Sequence, residues 1–159
     1  MTRQLYLRRP RSKAVAAVEL AVVLPLVCLL LFAIIEFGLI FKDALVLQQA
    51  VREACRAAIV GATPDRVDSI LRSKAVTLRP SDIEVTIEYR PPEAFGTSEW
   101  TPLGYDQEGA HNDAPPGSQI RVSARYNHTL VTGGLVAAAL GVDNSDGIPL
   151  SAASVMRRE

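Results

Sequence analysis

Residues 14–41 constrain this chain more than any other stretch: they form an apolar run of about 28 residues whose only charged side chains are Glu19 and Glu36. Arg3, Arg8, Arg9, Arg11 and Lys13 precede the run with no acid among them. An α-helix rises about 1.5 Å per residue and the hydrocarbon core of a bilayer is about 30 Å thick, so roughly 20 apolar residues span it. The charge-free part, Leu20 to Ile35, is slightly shorter than that, and the span must draw on residues at one or both ends. The basic flank places the N-terminus in the cytoplasm and everything after Lys42 outside it. The expected organisation is a basic cytoplasmic leader over 1–14, a transmembrane helix over 15–41 and an extracytoplasmic domain over 42–159.

Three readings of the run compete. A removed secretory signal fits poorly, because the apolar region exceeds the usual ~7 to 15 residues and no A-x-A-like site precedes Lys42 and Asp43. A permanent anchor is the second. In the third, a short basic peptide is cut off on the cytoplasmic side and the apolar helix stays. The two carboxylates bear on this choice, since an acid at mid-membrane costs ~2.5 to 3.5 kcal/mol and is a functional candidate by default. Glu36 lies about 7 to 8 Å along the axis from Phe41, within reach of the outer interface. Glu19 lies near the inner end. Cleavage between Ala14 and Val15 would create an α-ammonium one helical turn from Glu19, and in an assembly the same carboxylate can pair with a neighbour's new N-terminus. Such a pair is much stronger in low dielectric than in water, which would make Glu19 a register device for helices packed side by side. Pro25 removes one backbone hydrogen bond and marks where the helix loosens or kinks.

Three segments carry a family resemblance. They are Ala17-Val18-Glu19-Leu20-Ala21-Val22-Val23-Leu24-Pro25-Leu26, then Ile35-Glu36-Phe37-Gly38, then Ala50-Val51-Arg52-Glu53-Ala54-Cys55-Arg56-Ala57-Ala58. Over about residues 13–60 the chain resembles the TadE-like minor pseudopilins of the tight-adherence (Tad/Flp) pilus system, and Ile148 to Arg157 is similar to that family's closing strand. Ala14 stands where the family usually has Gly, Leu20 where it has an aromatic residue, and Cys55 where it has Gly or Ala. The resemblance implies a non-enzymatic pilus-assembly component of the bacterial inner membrane, a substrate of prepilin peptidase. Its implied partners are the membrane, the major pilin, other minor pseudopilins and the Tad assembly complex, in the service of cell adhesion. The alternative is a constitutive single-pass membrane protein whose outer domain binds an envelope partner apart from any pilus.

About 118 residues follow from Lys42, enough for one domain, with 12 Lys plus Arg against 15 Asp plus Glu. That mild acidity gives no sign of nucleic-acid binding. Cys28 and Cys55 cannot bridge to each other on one continuous helix, because 27 residues separate them by ~40 Å. For Cys55, simple burial is the default and an intermolecular disulfide the alternative.

Asp43 to Val60 continues the membrane helix with Val46, Leu47, Ala50, Val51, Ala54, Ala58 and Ile59 at helical spacing. Arg52, Glu53 and Arg56 lie on its polar side, and the expectation is that they meet either the sheet or a partner. Gly61 fits the helix stop, and Thr63 with Pro64 opens a second helix to about Ala75. The period then changes to two: Ile83 to Arg90, Ile120 to Leu130 and Ile148 to about Met156 read as strands. The predicted fold class is α+β, a long N-terminal transmembrane helix continuing into a small domain with a second helix and a three- to four-stranded antiparallel sheet, pilin-like in outline. Pro91 to Gln119 reads as a loop whose aromatics Phe95, Trp100 and Tyr105 fold back onto the sheet or form a contact surface. Val131 to Val142 reads as a short apolar element on the sheet or near the bilayer surface, and 143–147 as a turn. His111 and His128 have no metal-site spacing to nearby acids. With no catalytic constellation in view, the sequence points to no enzyme and no cofactor.

Overall fold

The computed structural model describes residues 11–96, 99–131, 133 and 147–159, with side chains from Ala14 onward. Most of the expected leader, most of the apolar element at 131–142 and most of the turn at 143–147 lie outside the described residues. Helix α1 runs unbroken from Arg11 to Ile59 with Pro25 inside it. At about 1.5 Å per residue it is about 73 Å long, more than twice what a bilayer core requires.

Its two halves meet different surroundings. Among the described residues α1 is the one helix long and apolar enough to cross a membrane, and its most apolar stretch buries nothing inside the domain. Leu20, Val22, Leu26, Leu30 and Ile34 are all at least 60% exposed. The outer half instead buries Leu47, Ala50, Val51, Ala54, Cys55 and Ala58. Those positions recur every three or four residues and make one stripe, onto which the remainder of the chain folds.

Helix α2, Pro64–Lys74, begins with proline at a position whose missing N–H costs nothing, places Asp65 in its first turn and Arg72 and Lys74 in its last. Val67 and Leu71 are buried and join the α1 stripe in one core. The helix carries an Asp68–Arg72 pair at 2.7 Å, and Arg72 also donates to the Pro80 carbonyl.

Strands β1 (Ile83–Arg90), β2 (Thr101–Pro102), β3 (Gln119–His128) and β4 (Ile148–Arg157) form an antiparallel sheet in the order β2-β1-β3-β4. Ile83 pairs with Tyr126 and Arg90 with Gln119, while Gln119 pairs with Arg157 and His128 with Ile148. In β3 the alternation is complete: Ile120, Val122, Ala124, Tyr126 and His128 are buried, and the residues between them are not. The inner face lies on α1, with both β3 and β4 against the helix. The α+β pilin-like architecture expected from the sequence is therefore present, with β2 as the fourth strand. β3 ends at His128, two residues before the sequence pattern suggested, because β1 begins opposite Tyr126 and β4 opposite His128, and neither strand offers a partner beyond.

The 91–119 loop folds back in part. Leu103 is buried and its N–H bonds to the Ile87 carbonyl at 3.0 Å. Trp100 stacks under the guanidinium groups of Arg90 and Arg121, 4.6 and 4.2 Å from its ring centre, on the polar face of the sheet. Tyr105 remains 49% exposed.

Cys55 lies between helix and sheet, fully buried, with its sulfur 3.6 Å from the carbonyls of Ile120 and Ser154. Burial pushes its thiol up from the ordinary cysteine range, so at neutral pH even less thiolate is present than in a free thiol. A water-soluble maleimide is therefore expected to leave Cys55 unmodified in the folded protein and to modify it after denaturation. Modification of the native protein at the rate of a free thiol would mean that the core opens.

Candidate functional site

The sequence directs attention first to the inner end of α1. Ala14, Val15 and Glu19 are all exposed there, and α1 passes through the Ala14–Val15 bond. Val15 and Glu19 stand four residues apart and share a helix face. Any group that pairs with the Glu19 carboxylate from another helix has open access to it. Pro25 lies within the exposed apolar half, where its missing N–H leaves the Ala21 carbonyl without its usual helical partner.

On the outer half, the choice left open for Arg52, Glu53 and Arg56 narrows. All three are exposed and turn away from the sheet, with Arg56 and Glu53 3.9 Å apart. The reason is the helical period: the buried stripe takes the positions on either side of them, and these three face the opposite way. Of the two alternatives, the sheet or a partner, their exposure leaves the second.

At a third place the sequence singled out Glu36 but not its partners, and among the described residues it is a closely knit polar cluster. Glu36 and Asp43 are seven residues apart on one face of α1, and His128 at the end of β3 reaches between them. His128 Nδ1 lies 2.8 Å from Asp43 Oδ2 and Nε2 lies 3.4 Å from Glu36 Oε1. The same Glu36 oxygen accepts the Val131 N–H at 2.8 Å. All three side chains are buried, with residue exposures of 7% for Glu36, 6% for Asp43 and 4% for His128. Lys42 Nζ stands 3.1 Å from the second Asp43 oxygen, at the solvent edge of the cluster.

This geometry limits the chemistry. The imidazole stands between two carboxylates and turns one ring nitrogen toward each of them. The two carboxylates sit against opposite edges of the imidazole and do not converge on a common point. No three His, Cys, Asp or Glu side chains among the described residues form a group able to hold a metal ion. What the cluster does is fasten the end of β3 to the helix where α1 leaves its apolar segment.

A second fastening closes the top of the domain. Gly61, at φ 97°, ends α1: its N–H bonds to the Ala58 carbonyl, and the Ala62 N–H bonds to the Ala57 carbonyl. Asn112 from the long loop then donates to the carbonyls of both Ala58 and Ala62 at 2.8 and 2.9 Å, and accepts from Arg158.

Residues 14–56 match the family model described as TadE-like protein. That match coincides with the region whose motifs carry the resemblance and with the whole exposed half of α1. Comparison with curated proteins and with solved structures gives no match. A TadE-like segment joined to a helix of this length and apolarity fits a membrane protein associated with the Tad pilus.

Proposed function

We propose that this TadE-like chain is a non-enzymatic minor pseudopilin of the bacterial inner membrane. It is inserted with its N-terminus in the cytoplasm, processed after Ala14 by a prepilin peptidase, and packed laterally through the apolar half of α1 with the major pilin and other pseudopilins of the Tad assembly complex. The observation that carries the reading is the exposed apolar half of α1 with an equally exposed Glu19 near its start. Lipid covers apolar side chains as well as a neighbouring helix does, but it offers no partner to a carboxylate. A new α-ammonium at Val15, its own or a neighbour's, does.

N-terminal sequencing of the membrane-extracted protein tests the first step, with a start at Val15 expected. An intact arginine-rich N-terminus would instead support the plain single-pass anchor. The exposed Arg52, Glu53 and Arg56 face would then be the natural place for an envelope partner to dock. Glu19→Ala tests the second step: maturation should still occur, and co-purification with pilin should fall. Unchanged co-purification would remove Glu19 from the packing step.

A further inference from the structure

The Glu36–Asp43–His128 cluster fixes how deep the domain sits, and we infer that the turn following β3, at Thr129 to Val131, is a lipid-contacting foot seated in the outer polar layer of the bilayer. This rests on the spanning role of α1 and goes beyond it.

The argument is one of level along the helix. If the inner boundary of the hydrocarbon core lies at Glu19, about 30 Å of helix ends near residue 39, and Glu36 lies about 4 to 5 Å inside the outer boundary. If the inner boundary is moved as far down as Val15, the core ends near Ile35 and Glu36 sits at the interface. Tilting the helix shortens its rise along the bilayer normal and lowers Glu36 further. In every case Glu36 is at or below the boundary between acyl chains and headgroups.

The domain reaches down to that level. The Val131 N–H is bonded to the Glu36 carboxylate at 2.8 Å and His128 Nε2 is 3.4 Å from it, so the chain at 128–131 shares the depth of Glu36. Lys42, about 9 Å farther along the helix, is the first basic residue above it and the natural partner for lipid phosphate. The side chains at this level suit the location. Val131 is 73% exposed, and Phe37 and Phe41, which follow Glu36 on α1, are 71% and 60% exposed. A domain standing clear of the membrane would leave Glu36 to lipid. The foot instead supplies it with a ring nitrogen and a backbone N–H and puts an apolar side chain beside them. Continuity with the spanning helix identifies the occupant of this surface as lipid.

Spin labels attached to single cysteines in a Cys28→Ala, Cys55→Ala background, with the full chain in phospholipid vesicles, test the inference. The readout is nitroxide accessibility to apolar oxygen relative to a water-soluble nickel chelate. Val131→Cys is expected to lie between Leu26→Cys in mid-span, which is oxygen-favoured, and Ala153→Cys on the outer face of the sheet, which is chelate-favoured. Val131→Cys resembling Ala153→Cys while Leu26→Cys stays oxygen-favoured overturns the foot and leaves the span intact. A chelate-favoured Leu26→Cys overturns the span and the foot with it. Adding Glu36→Gln to the Val131→Cys protein should move the label toward the aqueous profile, and an unmoved label would mean that the cluster does not set the depth.

Discussion

Replacing His128 with alanine is expected to destabilise the domain by about 3 to 5 kcal/mol, the cost of removing one partner from a buried ionic group. The imidazole is the only side chain in direct contact with both Glu36 and Asp43 among the contacts described, and both acids are less than a tenth exposed. Without it, both carboxylates border a cavity the size of the lost imidazole ring. Lys42 offsets part of the loss at Asp43, because its ammonium stays 3.1 Å from Oδ1 even without a directed hydrogen bond. Glu36 keeps the Val131 N–H. Denaturant unfolding of the detergent-solubilised chain, followed by Trp100 fluorescence, measures the effect. Combining His128→Ala with Glu36→Gln and Asp43→Asn should recover a large part of it, since neutral amides are far cheaper to bury than unpaired charges. A loss under about 1 kcal/mol for His128→Ala would show that water reaches the carboxylates and that the cluster behaves as an exposed ion pair.

The same cluster shows where reading the sequence succeeds and where it stops. The long apolar stretch of α1, the Gly61 stop, the phase of β1 and β3 and the place of β4 follow from local pattern, because each is set by which side chains must leave water. The inward phase of Ile120, Val122, Ala124 and Tyr126 extends to His128, and Glu36 and Asp43 share a helix face at a spacing of seven, but the sequence pattern did not join them as a site. What no local pattern supplies is the pairing itself, across 85 and 92 positions of chain, which depends on how far up α1 the sheet docks. β2 was illegible for a related reason: two residues, one of them proline, have no strand signal of their own and are extended only because β1 offers an edge. For Arg52, Glu53 and Arg56 the polar face was evident, but its direction relative to the sheet depended on which stripe the core chose. The processing and lateral packing proposed at Ala14, Val15 and Glu19 would be encounters with other molecules, which the fold of one chain does not determine.

Asn112→Ala should cost about 2 to 3 kcal/mol, because one side chain closes three separate parts of the fold. Its amide donates to the Ala58 and Ala62 carbonyls, its oxygen accepts from Arg158 at 2.5 Å, and its backbone N–H bonds to the Gly61 carbonyl. Alanine keeps only the last of these. Asn112 is 3% exposed, so the lost partners are not replaced freely by water, and an unsatisfied buried group costs about 1 to 3 kcal/mol. Part of the Arg158 interaction survives, since the same guanidinium nitrogen also reaches the Ala114 carbonyl at 2.6 Å and the Arg158 backbone is paired with Gly117 and Ser118. That is why the expected loss stays below the one at His128. Asn112→Asp separates the two sides of the residue: it preserves shape and improves the contact with Arg158, but turns a carboxylate oxygen toward two carbonyls. If donation to the α1 terminus is what matters, aspartate at 112 destabilises at least as much as alanine in the same unfolding measurement at neutral pH. If aspartate is nearly neutral, the Arg158 contact carries the stability, and the last turn of α1 is held by its own Gly61 motif.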